Sequence, residues 1–399
     1  EFRAELQALG VRVTALEEEL QALRARLDNT RVGGLFDSYY IAPSVGTPVG
    51  GLPAPLNVGF FVNYGSPTPP EPYTFGALDI GNRFRLTYTG SVGPGVSVFL
   101  RARYTSTVGS AAAIDFDRAY LTMDNPLGLR GLRIRIGRDV VTLGPIGLLL
   151  DGTNGNVHRS GAYVTWRIDP LTLFGFAQWV EPDITSPATV VGGRISFALL
   201  PGWTVGGNVR SDMRQGAPAG LLAGQYQDGF GWSVDLSGTL VPGLRLAAEF
   251  ARYRNDTTGL EDSYWMVRAD VNLAELAGIQ TFSPHLSLWY KNFGDYVLPR
   301  KGIRGNLRSP DFYPIFYITS SLSAGGARLD LRLMDGLAVY GVGEFGTFQV
   351  AGNPSWSLWE GGVVWTLAPR VNLTLHATTA QIGGNTVDTI YGAYLSTSW

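Results

Sequence analysis

The sequence predicts an all-β transmembrane barrel of about 18 antiparallel strands, with 16 as the runner-up, preceded by a parallel coiled-coil helix. Three observations predict it. A heptad seam is confined to the first 30 residues, apolar and polar residues alternate through most of the chain after residue 40, and short turns interleave with long loops.

Composition sets the limits. A chain of 399 residues would ordinarily divide into two or three domains unless one large closed β-structure takes most of it. Charged residues make up only 16%, yet no run approaches the ~18 apolar residues that a membrane-crossing helix needs, which excludes a helical membrane protein. The net charge of −2 gives no global attraction for nucleic acid, and none is expected as a partner. Lysine occurs only at Lys291 and Lys301; the remaining positive charge is arginine, which suits fixed, hydrogen-bonded charge sites, although genome composition or a hot habitat produces the same bias. The absence of cysteine removes disulfides, thiolate metal sites and cysteine nucleophiles. The chain opens on Glu1-Phe2 without a charged-then-apolar signal, so it reads as a processed or trimmed product.

Residues 1–30 carry Phe2, Leu6, Leu9, Val13, Leu16, Leu20, Leu23 and Leu27 at alternating spacings of four and three, a coiled-coil seam. With Leu6, Val13, Leu20 and Leu27 at a, the g positions hold Glu5, Arg12, Glu19 and Arg26, and the e positions include Glu17 and Arg24. In a parallel coil Arg12 then meets Glu17 and Glu19 meets Arg24, each with opposite sign. The segment Arg12-Val13-Thr14-Ala15-Leu16-Glu17 resembles the short pattern associated with three-stranded parallel coils, which implies a homotrimer. A helix folded back on its own domain would need a wider apolar face than this seam supplies.

After Asp28-Asn29-Thr30 the period changes to two. "NRFRLTYTG" sets Phe84, Leu86 and Tyr88 against Arg83, Arg85 and Thr87, and "LRIRIG" sets Leu132, Ile134 and Ile136 against Arg133 and Arg135. "WMVRADVN", "RLDLRL" and "VNLTLHATT" repeat the pattern. Soluble sandwiches also alternate, so the connections must decide. Short turns fall at 93–95, 125–131, 168–171, 200–203, 241–244, 273–278, 334–337 and 368–370, and longer polar or proline-rich loops at 42–79, 143–159, 214–226 and 295–321. Eight short turns with both termini on one side imply 18 strands, and the asymmetry is that of an outer-membrane barrel. "LNVGFFVNYG" and "PIFYITSS" fit either strands or loop structure.

Tyr88, Tyr104, Trp166, Trp179, Trp203, Trp289, Trp356 and Trp359 gather toward strand ends, where amphipathic rings can sit at lipid headgroups. The chain stops on "TIYGAYLSTSW", with Tyr391, Ala393, Leu395, Thr397 and Trp399 on one face. That ending resembles the terminal strand of outer-membrane barrel proteins, which usually closes on Phe; the resemblance implies that Trp399 is read by the barrel-insertion machinery.

A parallel coil of roughly 30 residues directly before a large barrel resembles the S-layer-homology outer-membrane porins. The resemblance covers the coil at 1–30 and the barrel at 33–399. It implies a trimeric porin for small hydrophilic solutes in the bacterial outer membrane, with its stalk in the periplasm. It also implies an upstream domain, absent from this sequence, that binds a cell-wall polymer. The alternatives are a structural envelope tether with a plugged lumen and a barrel hydrolase. The hydrolase has little to rest on, since His158, His285 and His376 are the only histidines and His158 with Ser160 is the nearest pairing.

Barrels of 16 to 18 strands leave an aqueous lumen, and porins usually fold a loop inward to narrow it. The stretch 142–160 is unusually apolar at Ile146, Leu148, Leu149 and Leu150; contact with the inner wall, with a neighbouring protomer or with a loop cap would each bury it. Asp151 belongs to this candidate constriction, and Asp151-Gly152-Thr153-Asn154-Gly155-Asn156 lacks the downstream acid of a calcium loop, so no metal or other cofactor is expected. Arg83, Arg85, Arg101, Arg103, Arg133 and Arg135 are expected to point inward as a basic wall that favours anions. Pairing with Asp115, Asp117, Asp270, Asp330 and Glu249 would instead leave little selectivity.

Overall fold

The computed structural model describes residues 30–44, 59–62, 79–107, 113–151, 159–179, 188–214, 228–256, 259, 261–279, 281–293, 314–317, 322–349 and 352–398. The heptad segment and Trp399 lie outside them. Eighteen strands form one antiparallel sheet. In chain order they are β1 (Thr30–Ser44), β2 (Asp79–Gly93), β3 (Val96–Thr107), β4 (Ala113–Asp124), β5 (Leu132–Asp139) and β6 (Arg159–Ile168). Next come β7 (Leu171–Trp179), β8 (Ala188–Leu200), β9 (Trp203–Arg214), β10 (Gly229–Val241), β11 (Leu244–Asn255) and β12 (Glu261–Asn272). The last six are β13 (His285–Phe293), β14 (Leu322–Met334), β15 (Leu337–Phe348), β16 (Ser355–Ala368), β17 (Val371–Ile382) and β18 (Asn385–Ser398).

Each strand pairs with its neighbours in sequence, and β1 also pairs with β18, Leu35 standing opposite Ser398. The ring therefore closes, and no row of unpaired backbone groups is left to face hydrocarbon, where each would cost several kcal/mol. The 18-strand expectation holds. "GFFV" and "PIFY" are not barrel strands: Gly59–Val62 pairs with Pro314–Tyr317 in a separate two-stranded sheet that joins two loops.

All eight predicted short turns are present at one end of the ring. Their chemistry is local. Gly95, Gly202, Gly243 and Gly336 each close a two-residue connection in the left-handed region, at φ from 68° to 80°, which a side chain at these positions would strain. The carbonyls of these turn glycines then accept N–H groups from the following hairpin, as in Asp124 to Gly95 (2.7 Å) and Thr366 to Gly336 (2.7 Å), so the turns are stitched into one rim. Between β12 and β13 the connection is a single helical turn, Leu273–Ala277, with Asn272 capping the N–H groups of Ala274 and Glu275. At the other end every connection has five or more residues, except the Gly383-Gly384 turn between β17 and β18.

Alternation sets what faces where. On β10, Gly231, Ser233 and Asp235 are on the buried face while Phe230, Trp232, Val234 and Leu236 are exposed. The same split runs round the ring, with large exposed apolar side chains outside and charged, mutually bonded ones inside, the inversion of a soluble protein that a lipid-facing wall requires. The aromatic girdle is partly as expected, with Tyr88, Trp166, Trp179 and Trp359 exposed on the outer face. Trp289 and Trp356 correct it, being 5% and 1% exposed and turned inward. Trp289 stands at the middle of β13 and Trp356 near the start of β16, and their parity places them with Ser287 and Leu358 on the inner face.

Candidate functional site: an inward-folded loop and a charged inner wall

The segment after β5 turns into the barrel. Thr142–Leu143 pairs with Leu150–Asp151 in a small hairpin whose tip holds Gly144 to Leu149. Of the three seats open to the apolar run, it takes the inner wall: Leu143, Leu148 and Leu149 are buried in one cluster with Tyr253, Tyr264 and Met266, and Ile146 and Leu150 pack against it. Burial of the run is favourable by ~25 cal/mol per Å² of apolar surface removed from water, so this loop has a physical reason to lie inside.

Polar contacts fix how it lies. Glu249, on the inner face of β11 and 2% exposed, accepts the backbone N–H groups of Ile146 (3.2 Å), Gly147 (2.9 Å) and Leu148 (3.1 Å). Gly144 lets the carboxylate come close, since a Cβ there would stand 2.7 Å from its Oε2. On the returning limb Arg210 of β9 donates to the Leu149 carbonyl (2.9 Å). Wall acid thus meets loop N–H groups, and wall base meets a loop carbonyl. Arg210 is itself held by Asp212 (2.9 Å), which accepts from the Tyr253 hydroxyl (2.7 Å).

The base of the loop is held separately. Asp139 ends β5 and pairs with Arg118 (3.2 Å) and Arg135, while its carbonyl accepts from the Tyr163 hydroxyl (3.2 Å) and Gln178 (3.3 Å). The Arg135 guanidinium also lies over the Tyr120 ring, 4.5 Å from its centre. Sequence reading missed Asp139. Its signal was its inward parity, which Gly137 at φ 130° obscures by interrupting the strand.

Among the predicted wall residues, Arg85 and Arg103 are buried and stand directly opposite one another on β2 and β3. Arg101 stands opposite Arg118 in register, next to the group that Arg118 and Arg135 form with Asp139. Arg133 departs from the expectation: it pairs with Asp124 near the short-turn end, with about half its side chain exposed. Arg83 and Asp151 are placed as backbone only, Asp151 opposite Thr142; their side chains lie outside the described residues. The same is true of Asp115, which stands opposite Arg103 in register, and of Asp117.

Three of the acids expected to neutralise the basic wall, Asp270, Asp330 and Glu249, have partners elsewhere. Asp270 pairs with Arg268 (2.7 Å) and Asp330 with Arg328 (2.6 Å), each two residues along the same strand, as Arg210 and Asp212 are. Same-face neighbours on a strand are two residues apart, so an Arg-x-Asp sequence satisfies its charges locally. Arg194 pairs with Asp235, which also accepts from Asn208 (2.9 Å). Lys291 and Glu344 form a fully buried pair (2.6 Å), and Glu344 accepts in addition from the indole N–H groups of Trp289 (2.7 Å) and Trp356 (3.0 Å).

The chain matches no protein-family model and no curated protein. Among solved structures it resembles Pseudomonas aeruginosa OccK11 (OpdR), at a TM-score of 0.61 and 11% identity over 93% of this chain and 96% of that one. A BenF-like porin from Pseudomonas fluorescens Pf-5 (TM-score 0.61, 11% identity, 93% and 98% coverage) and Acinetobacter baumannii OccAB4 (0.61, 9%, 93% and 98%) are similar to the same degree. These likenesses show a shared barrel fold spanning nearly the whole chain.

Proposed function

We propose that the protein is an outer-membrane porin through which small hydrophilic solutes and ions diffuse passively, narrowed by the loop at 140–151. The observation that carries this reading is the inverted wall, with paired charges inside a closed 18-stranded ring and exposed apolar side chains outside. A ring of this size encloses a lumen too wide for wall side chains alone to fill. The porin named among its structural neighbours supports the reading. Anions are the preferred ions: Arg85, Arg101, Arg103, Arg118 and Arg135 share one sector of the wall, where Asp139 pairs with Arg118 and Arg135. Fields inside a narrow pore are less screened than in bulk salt, where the Debye length is ~8 Å.

The seam at 1–30 extends the proposal to a homotrimer with a periplasmic stalk, in the manner of the S-layer-homology porins, tied to a cell-wall polymer through an upstream domain. The protein is read as a channel and not an enzyme. Reconstitution in a planar bilayer tests it: stepwise conductance with reversal potentials of anion sign is the expected result. A folded barrel that passes no current would favour the rival, an envelope tether with a plugged lumen.

A further inference from the structure

We propose that Glu249 is a latch that sets the width of the passage by holding the inward loop against the β9 to β11 wall. The proposal rests on the channel reading and deepens it. Three features of the contact point to a latch. First, the bonds run from one side chain to three consecutive backbone N–H groups at the tip, Ile146, Gly147 and Leu148, and not to the base of the hairpin. Consecutive N–H groups converging on one point make an anion-binding concavity, and here the barrel supplies the anion. Second, the partners are far apart in sequence, so the contact joins a loop to a remote wall and has no role in forming either hairpin locally.

Third, the hairpin contributes little support of its own. The hairpin itself is only two residues deep, Thr142–Leu143 against Leu150–Asp151, so its own ladder cannot hold the tip. A further polar tether, Arg210 to the Leu149 carbonyl, acts on the returning limb. Removing the carboxylate would take away the acceptor that three N–H groups share, and a loop that swings into the lumen can solvate them. A charge-assisted contact of this kind is strong while intact and costly when half removed. The loop is thus poised between a clasped position and a released one, and Glu249 is the positioning residue that favours the first.

The test uses two substitutions, because losing a negative charge in a pore changes ion flow by itself. Glu249→Gln removes the charge; Glu249→Asp keeps it but withdraws the carboxylate by one methylene, too far to serve all three donors. With the full chain in planar bilayers, both variants are expected to shift single-channel conductance by roughly twofold and to add switching between levels that the parent lacks. A change in Glu249→Gln alone, with Glu249→Asp like the parent, would mean electrostatics and overturn the latch. Independently of current, a cysteine in place of Leu148, which is 3% exposed in the clasped loop, reports on the loop through its rate of modification by a water-soluble thiol reagent. That rate should rise several-fold in the Glu249→Asp background, and an unchanged rate in a barrel that still shows folded mobility on unheated gels would overturn the proposal. Absence of current from the parent would count against the channel reading and leave the labelling test of the latch intact.

Discussion

Trp289 on β13 lies across the backbone of Gly326, the residue directly opposite it on β14, and from there its indole N–H reaches Glu344 (2.7 Å). A Cβ at position 326 would run into the ring. Tyr340 and Gly362 repeat the arrangement on β15 and β16. Glycine in a strand normally weakens it, but here it is a seat that lets a large inward side chain lie along the wall. Gly326→Ala should therefore destabilise the barrel by about 1–3 kcal/mol, the usual range for overpacking, read as a lower temperature for loss of the folded gel mobility. A Gly325→Ala control, whose nearest contact is 3.3 Å, should do much less.

The buried pair beside it predicts an asymmetric pattern. Lys291→Met leaves Glu344 with its indole donors but without its cation, and breaking a buried pair in this way costs about 3–5 kcal/mol. Adding Glu344→Leu to Lys291→Met should recover much of that loss, because no isolated charge remains. If the double variant melts no higher than the single one, the charge pair is not what Lys291 contributes.

Selectivity should follow burial. Arg85→Glu with Arg103→Glu should move the reversal potential in a potassium chloride gradient toward cation preference. Arg133→Glu, at a half-exposed site near the short-turn end, should move it little. Equal effects from the two sets would place the selective region elsewhere.

Topology is checked across one strand. Asp335, fully exposed just before β15, and Asn353, exposed in the connection after it, sit at opposite ends of the ring. Cysteine at 353 should label in intact cells, and cysteine at 335 only once the periplasm is opened. The reverse result would invert the barrel.

Assembly tests the stalk. Val13→Asp with Leu20→Asp places charge in the heptad seam and should lower the mass in mild detergent from three chains to one, with the barrel still folded. A monomeric parent would remove the trimer from the proposal.

The barrel was legible because its signals are local. A turn glycine and the parity of a strand are properties of neighbouring residues, and all eight short turns could be read from them. The Arg-x-Asp pairs on β9, β12 and β14 are equally legible, since both partners sit on one face of one strand. The apolar run at Ile146 to Leu150 announced that it must be buried but not where, because its seat on Glu249 lies about a hundred residues away. Trp289 and Trp356 misled for a related reason. An indole suits a headgroup belt as well as an inner seat, and only a distant carboxylate, Glu344, reveals that these two belong inside.

The contact between Leu35 and Ser398 joins the first strand to the last. No earlier pairing in the chain can stand in for it, so an incomplete polypeptide always carries two open edges, and the cylinder can be sealed only after the final residues have arrived. Such a molecule cannot mature progressively from its beginning, and it needs shelter for those edges until the end. The same geometry allows the barrel to be opened elsewhere: linking Ser398 to Thr30 without the heptad segment and opening the Gly383-Gly384 turn would produce a permuted polypeptide with every lateral strand pairing preserved.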